Sequence, residues 1–297
     1  RAWLAANAEP VRLVLEANER PTSAFVRPLV SRDGHSSHDL VDVLLLRGLV
    51  PEANLETRLA AYADVLAMVE HLRPDYSSFV EAQAIERRVL TSLLRWAALP
   101  GQTPQSLRQA RRILEAHAAN TPGVDQVIKW QYLEVLRAIE TPDPQYTFWL
   151  DRFLSRLPWE RERALRLLKN WANNSLDVID QALVQMSPDT LDRMHGLGGF
   201  RNENLQIFAT PVLRVHLEDY VHSGYQLASQ TLERIARMRA AMVALELMAV
   251  RLERGELPAT LDELASDNFR SMPLDPFTGG MFEYFPHGVP VKVSQYT

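Results

Sequence analysis

Two histidines and two aspartates lie close together between residues 33 and 39. Asp33, His35 and His38 are separated by only one and two residues, and Asp39 follows directly. Imidazole and carboxylate groups are common ligands of zinc and other transition metals. This stretch is therefore a candidate metal site. The competing interpretation, which we favour, is a polar loop that connects two helices.

A second pair of metal-ligating side chains is Glu218 and His222. These residues are four positions apart, so a helix would place them on one face. They could contribute to a metal site or form an ordinary surface contact within the helix. The segment lacks the His-Glu-x-x-His order of zinc proteases. We therefore predict no metal and no cofactor, with Asp33, His35, His38, Glu218 and His222 as the residual metal candidates.

Glu81 and Glu86 lie on one predicted helix, and paired carboxylates in a helical bundle could act as a general acid or hold two irons. The Glu-x-x-His pattern of di-iron bundles is missing, so we predict a solvated charged face.

The glycines of residues 195–199 lack the spacing of a dinucleotide-binding loop and predict a turn between helices. No P-loop, nucleophile elbow or kinase signature occurs, and we predict no catalytic residue.

Large aromatic side chains are spread along the chain rather than grouped. Tryptophans at helical positions usually fill a core or line a groove. A row of them in a concave helical array could also bind a peptide or another protein. The residues concerned are Trp96, Trp130, Trp149, Trp159 and Trp171.

The composition is that of a globular protein and restricts the possible function classes. Among the 297 residues, 46% are hydrophobic and 23% are charged, and the net charge is −5. This acidic balance disfavours nucleic acid as a partner. The complete lack of cysteine excludes thiolate catalysis, iron–sulfur clusters and Cys-ligated zinc.

The longest apolar stretches, Val41–Leu46 and Ala240–Val250, are much shorter than the roughly 20 residues that a membrane span requires. The chain begins with Arg1 rather than methionine. We therefore expect that a leader or anchor has been removed upstream, and that the chain meets a membrane only through such an anchor.

Apolar residues three and four positions apart predict helices along most of the chain. Good amphipathic patterns cover Asn54–Leu72 and Tyr76–Leu99, and Thr103-Pro104 is typical of a helix start. The clearest pattern, Leu227–Glu253, ends at Gly255, as expected for a helix-terminating glycine. The predicted fold class is mainly α, with a multi-helical body of antiparallel helices and a small C-terminal α+β tail.

The tail changes character after Gly255. Met281–Phe285 and Val289–Val293 are β-prone and flank Pro286-His287-Gly288, which predicts a hairpin. A lone hairpin is only marginally stable, so we expect residues 1–226 and 227–297 to form two subregions of one cooperative unit. The body would then cover the aromatic residues of the tail, Phe269, Phe277, Phe282, Tyr284 and Phe285.

The order of motifs in the tail resembles a known family. Arg254-Gly255-Glu256-Leu257-Pro258 is followed by Leu261-Asp262-Glu263-Leu264 and then by Pro273-Leu274-Asp275-Pro276-Phe277-Thr278-Gly279. This order is similar to the tail of type II secretion major pseudopilins. It is also similar to uncharacterised bacterial helical proteins, common in planctomycetes, whose start resembles the segment 1–7 here.

The resemblance implies a structural module and a location in the cell envelope or outside the cytoplasm. It does not imply polymerisation, because the apolar assembly helix of pseudopilins is missing. The calcium bound by some pseudopilin tails needs several oxygen ligands, for which this tail offers Asp267, Asp275 and Thr278. We predict a non-enzymatic scaffold or interaction protein, or an accessory subunit of a larger complex, with protein partners. The alternative is a metal-binding protein or an enzyme with an unrecognised pocket.

Overall fold

The architecture was taken from a computed structural model, which describes residues 8–19, 36–49, 53–71, 76–121, 123–140, 158–184, 211–265, 269 and 272–287. These residues are mainly helical, as predicted. In chain order the helices are α1 (Ala8–Asn18), α2 (Ser36–Leu49), α3 (Leu55–His71), α4 (Tyr76–Ala97), α5 (Pro104–Ala119), α6 (Val124–Glu140), α7 (Pro158–Val184), α8 (Pro211–Arg254) and the short α9 (Asp262–Ala265).

Local signals in the sequence set several of the helix ends. Helix α5 starts at the predicted Thr103-Pro104 pair, where the Ser106 N–H donates to Thr103 Oγ1 at 3.1 Å and the Thr103 N–H donates to Ser106 Oγ at 3.1 Å. This reciprocal capping satisfies amide groups that the first helical turn leaves unpaired. Helix α8 ends at Gly255, whose φ of +82° is a left-handed conformation that favours glycine.

Helix α8 is longer than the sequence pattern predicts. The pattern of residues 204–224 predicts a helical segment that Pro211 kinks or restarts, followed by a separate helix from Leu227; residues 204–210 lie outside the described part. From Pro211 onward the structure has one continuous helix of 44 residues with proline at its first position, which suits proline because its missing N–H needs no partner there. The boundary between the two predicted subregions, at residues 226 and 227, falls within this helix.

One hydrophobic core joins the helices to the tail. Helix α8 packs against α5 and α4, and α3 packs against α2, α4 and α5. Trp96 is only 2% exposed in this core, and its Nε1 donates to the Leu55 carbonyl at 3.0 Å. Fully or nearly fully buried members come from α2, α3, α4, α5, α8 and the tail, among them Leu44, Leu66, Ile85, Leu93, Leu107, Leu114, Leu245, Ala249, Leu261 and Leu264.

The described part of the tail is held against α8 by polar contacts as well as by burial. Arg239 on α8 donates to the Leu274 carbonyl at 2.8 Å, and the Tyr284 hydroxyl donates to the Pro258 carbonyl at 2.9 Å. Phe269 is buried, and Phe282 and Tyr284 pack against the core. Phe285, in contrast, is 46% exposed, so the expectation that the body covers all five aromatic residues is wrong for this one.

The turn in the tail is closed by Asp275. The Asp275 N–H donates to the Gly280 carbonyl and the Gly279 N–H to the Asp275 carbonyl, both at 2.8 Å. The Asp275 carboxylate accepts from the Phe277 N–H at 2.9 Å and from the Thr278 hydroxyl at 3.1 Å. Residues 281–285 are not in a strand. The predicted partner, Val289–Val293, lies outside the described residues, so the hairpin stays a prediction.

Candidate functional site

Five charged or titratable side chains are buried where α8 packs against its neighbouring helices. Glu86, His117, Arg111, Arg234 and Glu246 are each between 0% and 9% exposed. Removing a charge from water is costly unless the group is paired and hydrogen-bonded. The partners of these five residues therefore decide what the buried groups can do.

The first group, which we call the four-helix ion cluster, consists of Glu70, Glu86, His117 and Arg234. One residue comes from each of α3, α4, α5 and α8. Arg234 donates to Glu86 through Nε (to Oε2, 2.5 Å) and through Nη2 (to Oε1, 3.0 Å). This two-point contact between planar groups is the strong form of an ion pair. It joins α4 to α8 across 148 positions of sequence.

His117 occupies the centre of the cluster and is 2% exposed. Its Nε2 lies 2.8 Å from Glu86 Oε1, and its Nδ1 lies 3.0 Å from Glu70 Oε1. The two ring nitrogens point in different directions to two carboxylates. The ring therefore bridges the carboxylates and does not converge with them on a point where a metal ion could be bound.

Two residues that follow α5 extend the cluster. The Arg234 Nη2 also donates to the Thr121 hydroxyl at 2.6 Å, and that hydroxyl donates to the His117 carbonyl at 2.7 Å. The Asn120 amide donates to Glu70 at 3.4 Å. The residues that follow α5 therefore contact the same charged groups as His117 does.

The second group, which we call the α5–α8 ion cluster, consists of Arg108, Arg111, Glu246 and Glu253. Arg108 donates to Glu246 from Nε at 3.0 Å and to both Glu253 oxygens at 2.6 and 2.7 Å. Arg111 Nε lies 3.2 Å from Glu246 Oε2, although neither atom forms an aligned hydrogen bond, so this contact is an ion pair only. The hydrogen bonds from Arg108 lower the pKa of Glu253 below its ordinary value of 4.5.

Arg111 also connects this cluster to the tail. Its guanidinium lies 4.6 Å from the centre of the Phe269 ring, a distance at which a cation and an aromatic face attract each other. Its Nη1 donates to Glu115 at 3.0 Å. Arg111 therefore contacts an α8 carboxylate, an α5 carboxylate and a tail aromatic ring at once.

Glu86 is buried and paired, which was not predicted from the sequence. Glu81 is partly exposed, but Glu86 is 1% exposed, so the prediction of a solvated charged face is wrong at this position. Each buried charged residue lies on an apolar stripe: Glu86 is three positions before Val89, and His117 is three positions after Leu114. In the same way, Arg234 is four positions before Met238 and Glu246 is four positions after Met242. A charged residue within an apolar stripe was therefore the feature of the sequence that could have indicated a buried charge.

The metal candidates from the sequence are not tested by the described side chains. Asp33 and His35 lie outside the described residues. His38 belongs to α2, which begins at Ser36, so the interpretation of this stretch as a polar loop is wrong for residues 36–39. Glu218 and His222 belong to α8, and the side chains of all three residues lie outside the described ones. Where side chains are described, no group of three or more His, Asp or Glu residues is placed to hold a metal ion. The metal hypothesis for these five residues stays a prediction.

Other predicted sites are partly described. Asp267 and the glycines of 195–199 lie outside the described residues, and both oxygens of Asp275 are engaged within its own turn. Trp96 is a core residue, whereas Trp159 is 59% exposed. Trp149 and the side chain of Trp171 are outside the described part, so the predicted aromatic row stays untested.

A shallow open depression of about 640 Å³ lies where the start of α3 meets the loop after α4. It is lined by Asn54, Leu55, Arg58 and Pro100, among others. Asn54 is already engaged there, because its side-chain oxygen accepts from the Thr57 N–H at 2.8 Å and so caps α3. This depression lies at the Trp96 end of α4, and none of its lining residues belongs to either ion cluster.

Comparison with known proteins gave no relative of this chain. No family model matches it, no curated protein matches it, and no solved structure matches it. In the part of the chain that the structure describes, no helix combines the length and the apolar character that crossing a membrane would require.

Proposed function

We propose that this protein is a non-enzymatic scaffold of the bacterial cell envelope that binds a protein partner through its C-terminal tail, as an accessory subunit of a larger complex. The observation that carries the proposal is an exposed apolar surface on a tail that is itself anchored to α8. We call this surface the tail patch and define it by Leu274, Met281 and Phe285.

The tail patch follows from the geometry of the turn. Leu274 and Met281 directly flank the hydrogen-bonded pair Asp275 and Gly280, so they lie next to each other at the base of the turn. After the turn, exposure alternates along the chain: Phe282 and Tyr284 pack against the core, while Met281 and Phe285 are exposed. The three patch residues are 42%, 44% and 46% exposed.

Anchoring makes the patch suitable for binding. The carbonyl of Leu274 is held by Arg239, and Tyr284 is held by the Pro258 carbonyl. When the backbone that presents apolar side chains is already fixed, binding orders less of the chain and costs less conformational entropy. Clustered exposed apolar side chains typically mark sites of protein interaction.

The envelope location and the finer architecture of the tail belong to the same proposal. The resemblance to pseudopilin tails supports the location. The alternating exposure of residues 281–285 is the period-two pattern of an extended chain and supports the proposed hairpin with Val289–Val293. We further propose that the segments 1–226 and 227–297 form one cooperative unit.

The test is co-purification of the tagged chain from an envelope fraction of its own cells. We expect one partner in fixed stoichiometry, and we expect the combined substitutions Leu274→Ser, Met281→Ser and Phe285→Ser to reduce its recovery about tenfold or more, because apolar anchors carry most of the energy of an interface.

The matched control is Leu13→Ser, since Leu13 is 52% exposed on α1, a helix that packs against α2 and α3. This variant should recover the partner as well as the unaltered chain does. Equal recovery by the triple variant, or a chain that fractionates with the cytosol and has no stoichiometric partner, would refute the proposal. A circular dichroism spectrum of each variant would show that folding is unchanged.

A further inference from the structure

An arginine with an unused donor lines the open depression at the start of α3. Arg58 is partly buried, and its Nε is covered from water without a hydrogen-bond partner. Within the described part of the chain, its guanidinium also forms no ion pair with a carboxylate. A guanidinium keeps its charge at any ordinary pH, so the covered donor is satisfied only when an acceptor reaches it from outside the protein.

The described neighbours of Arg58 do not neutralise its charge. Glu56 lines the same depression but is two positions away on α3, and residues two apart on a helix do not face each other. Tyr62 lies one turn further along α3. Burial raises the pKa of this phenol and the charge of Arg58 opposes that rise, so the phenol stays protonated at neutral pH and offers no negative charge.

The other groups of the depression suit an organic anion better than an inorganic one. Leu55, Leu99 and Pro100 form an apolar wall. The side-chain oxygen of Asn54 caps α3, which leaves its amide nitrogen as a second donor. The exposed carboxylate of Glu56 disfavours a doubly charged ligand such as phosphate, because like charges repel. The volume of about 640 Å³ is typical of sites for small molecules.

The walls of the depression are held in place by tertiary contacts. Trp96 of α4 donates to the Leu55 carbonyl at 3.0 Å, which fixes the start of α3 against the end of α4. Gly48 of α2 packs so closely that a Cβ there would lie 3.2 Å from Arg58 Cα. Because the backbone around the depression is already fixed, a ligand would order little of the chain on binding.

We propose that this depression binds a small organic monocarboxylate with an apolar body. The carboxylate accepts hydrogen bonds from Arg58 and from the Asn54 amide, and the hydrocarbon lies against Leu55, Leu99 and Pro100. Hydrogen bonds between a guanidinium and a carboxylate are about twice as strong as those between neutral groups, so Arg58 supplies most of the selectivity for an anion. This site is separate from the tail patch and stands without it.

The test is calorimetric titration of the intact chain with octanoate at about pH 7, where this probe is ionised. We expect a dissociation constant on the order of 1 mM or lower. Arg58→Gln should weaken binding about tenfold or more, because the charged hydrogen bonds are lost. Inorganic phosphate should bind the unaltered chain at least about tenfold more weakly than octanoate, since it lacks an apolar body.

Arg112→Gln is the matched control, because Arg112 is an exposed arginine on α5 that does not line the depression. It should bind octanoate as the unaltered chain does. Equal binding by Arg58→Gln, or tighter binding of phosphate than of octanoate, would overturn the proposal.

A second measurement needs no variant. In proton–nitrogen NMR spectra of the unaltered chain, octanoate should shift the amide signals of Leu55 and Arg58 more than those of Leu274 and Met281 in the tail. Shifts that are larger in the tail would show that the probe binds the exposed apolar surface there and not the depression.

Discussion

Arg234 and Arg237 lie three positions apart on α8, but they have very different surroundings. Arg234 is 9% exposed and donates twice to the buried Glu86. Arg237 is 43% exposed and pairs with Glu233, which is equally exposed. A surface ion pair contributes little to the free energy of unfolding, because water competes for both charges. A buried charge that loses its partner, in contrast, strongly destabilises the fold.

These two arginines give a direct prediction. Arg234→Met leaves Glu86 buried without its guanidinium partner, and we expect it to lower the free energy of unfolding by about 3–5 kcal/mol. Arg237→Met removes only a surface pair and should cost less than about 1 kcal/mol. Unfolding by urea, followed by circular dichroism, measures both values.

A double variant tests the physical reason for the loss. Glu86→Gln combined with Arg234→Met removes the buried charge that has lost its guanidinium partner, so it should recover part of the stability lost in Arg234→Met alone. If Arg234→Met and Arg237→Met cost the same, or if the double variant is less stable than the single one, the buried pair does not have the role described for it.

At the scale of the element, α8 carries both ion clusters on one helix. Its Arg234 meets a glutamate from α4, and its Glu246 meets arginines from α5, so the charges on α8 change sign along its length. Sliding α8 by one turn would separate both sets of partners. The two clusters therefore restrict the alignment of α8 with its neighbours more than apolar contacts alone would, because apolar contacts are not directional.

The end of α8 offers a prediction about backbone conformation. Gly255 has a φ of +82°, and no atom outside the glycine and its two chain neighbours lies within 4 Å of the position where a Cβ would stand. Gly255→Ala should therefore lower the free energy of unfolding by about 1–2 kcal/mol through the cost of the left-handed conformation alone. Thermal unfolding followed by circular dichroism measures the loss.

Gly280 is the matched control, because its φ is not positive and a Cβ there would make an ordinary contact of 3.7 Å with Thr278. Gly280→Ala should change the free energy of unfolding by less than about 0.5 kcal/mol. Equal effects of the two substitutions would show that backbone conformation is not what selects glycine at position 255.

For the whole molecule, the question is whether the tail and the helices unfold together. Phe269 connects them, since it is 8% exposed, belongs to the core and lies under the Arg111 guanidinium. Leu261 and Leu264 are buried in the same core. The tail thus contributes to the same apolar cluster as α4, α5 and α8.

This arrangement predicts that a change in the tail destabilises the whole molecule. Phe269→Ala removes a buried aromatic ring and should lower the free energy of unfolding by about 3–5 kcal/mol, with the helical signal still lost in one transition. Phe285→Ala removes a ring that is 46% exposed and should cost much less. An early separate transition in Phe269→Ala, with an unchanged midpoint for the helices, would contradict the proposal of one cooperative unit.

Local sequence patterns were sufficient to predict the positions of many of the helices. The Thr103-Pro104 start, the Gly255 end and the main amphipathic segments were predicted, because caps, glycine conformations and apolar spacing act within a few neighbouring residues. The full length of α8 was not, since proline at position 211 is compatible with both a kink and a first turn.

The pairing of the buried charges was decided only by the tertiary structure. A glutamate on the apolar stripe of α4 and an arginine on that of α8 are visible in the sequence as exceptions, but 148 positions separate Glu86 from Arg234. Whether such a group reaches water or a partner depends on which helices pack together and in what alignment. That alignment results from the burial of the whole apolar surface, which no short stretch of sequence specifies. The chain by itself determined where most of its helices lie, and only their packing determined that His117 would stand between two carboxylates.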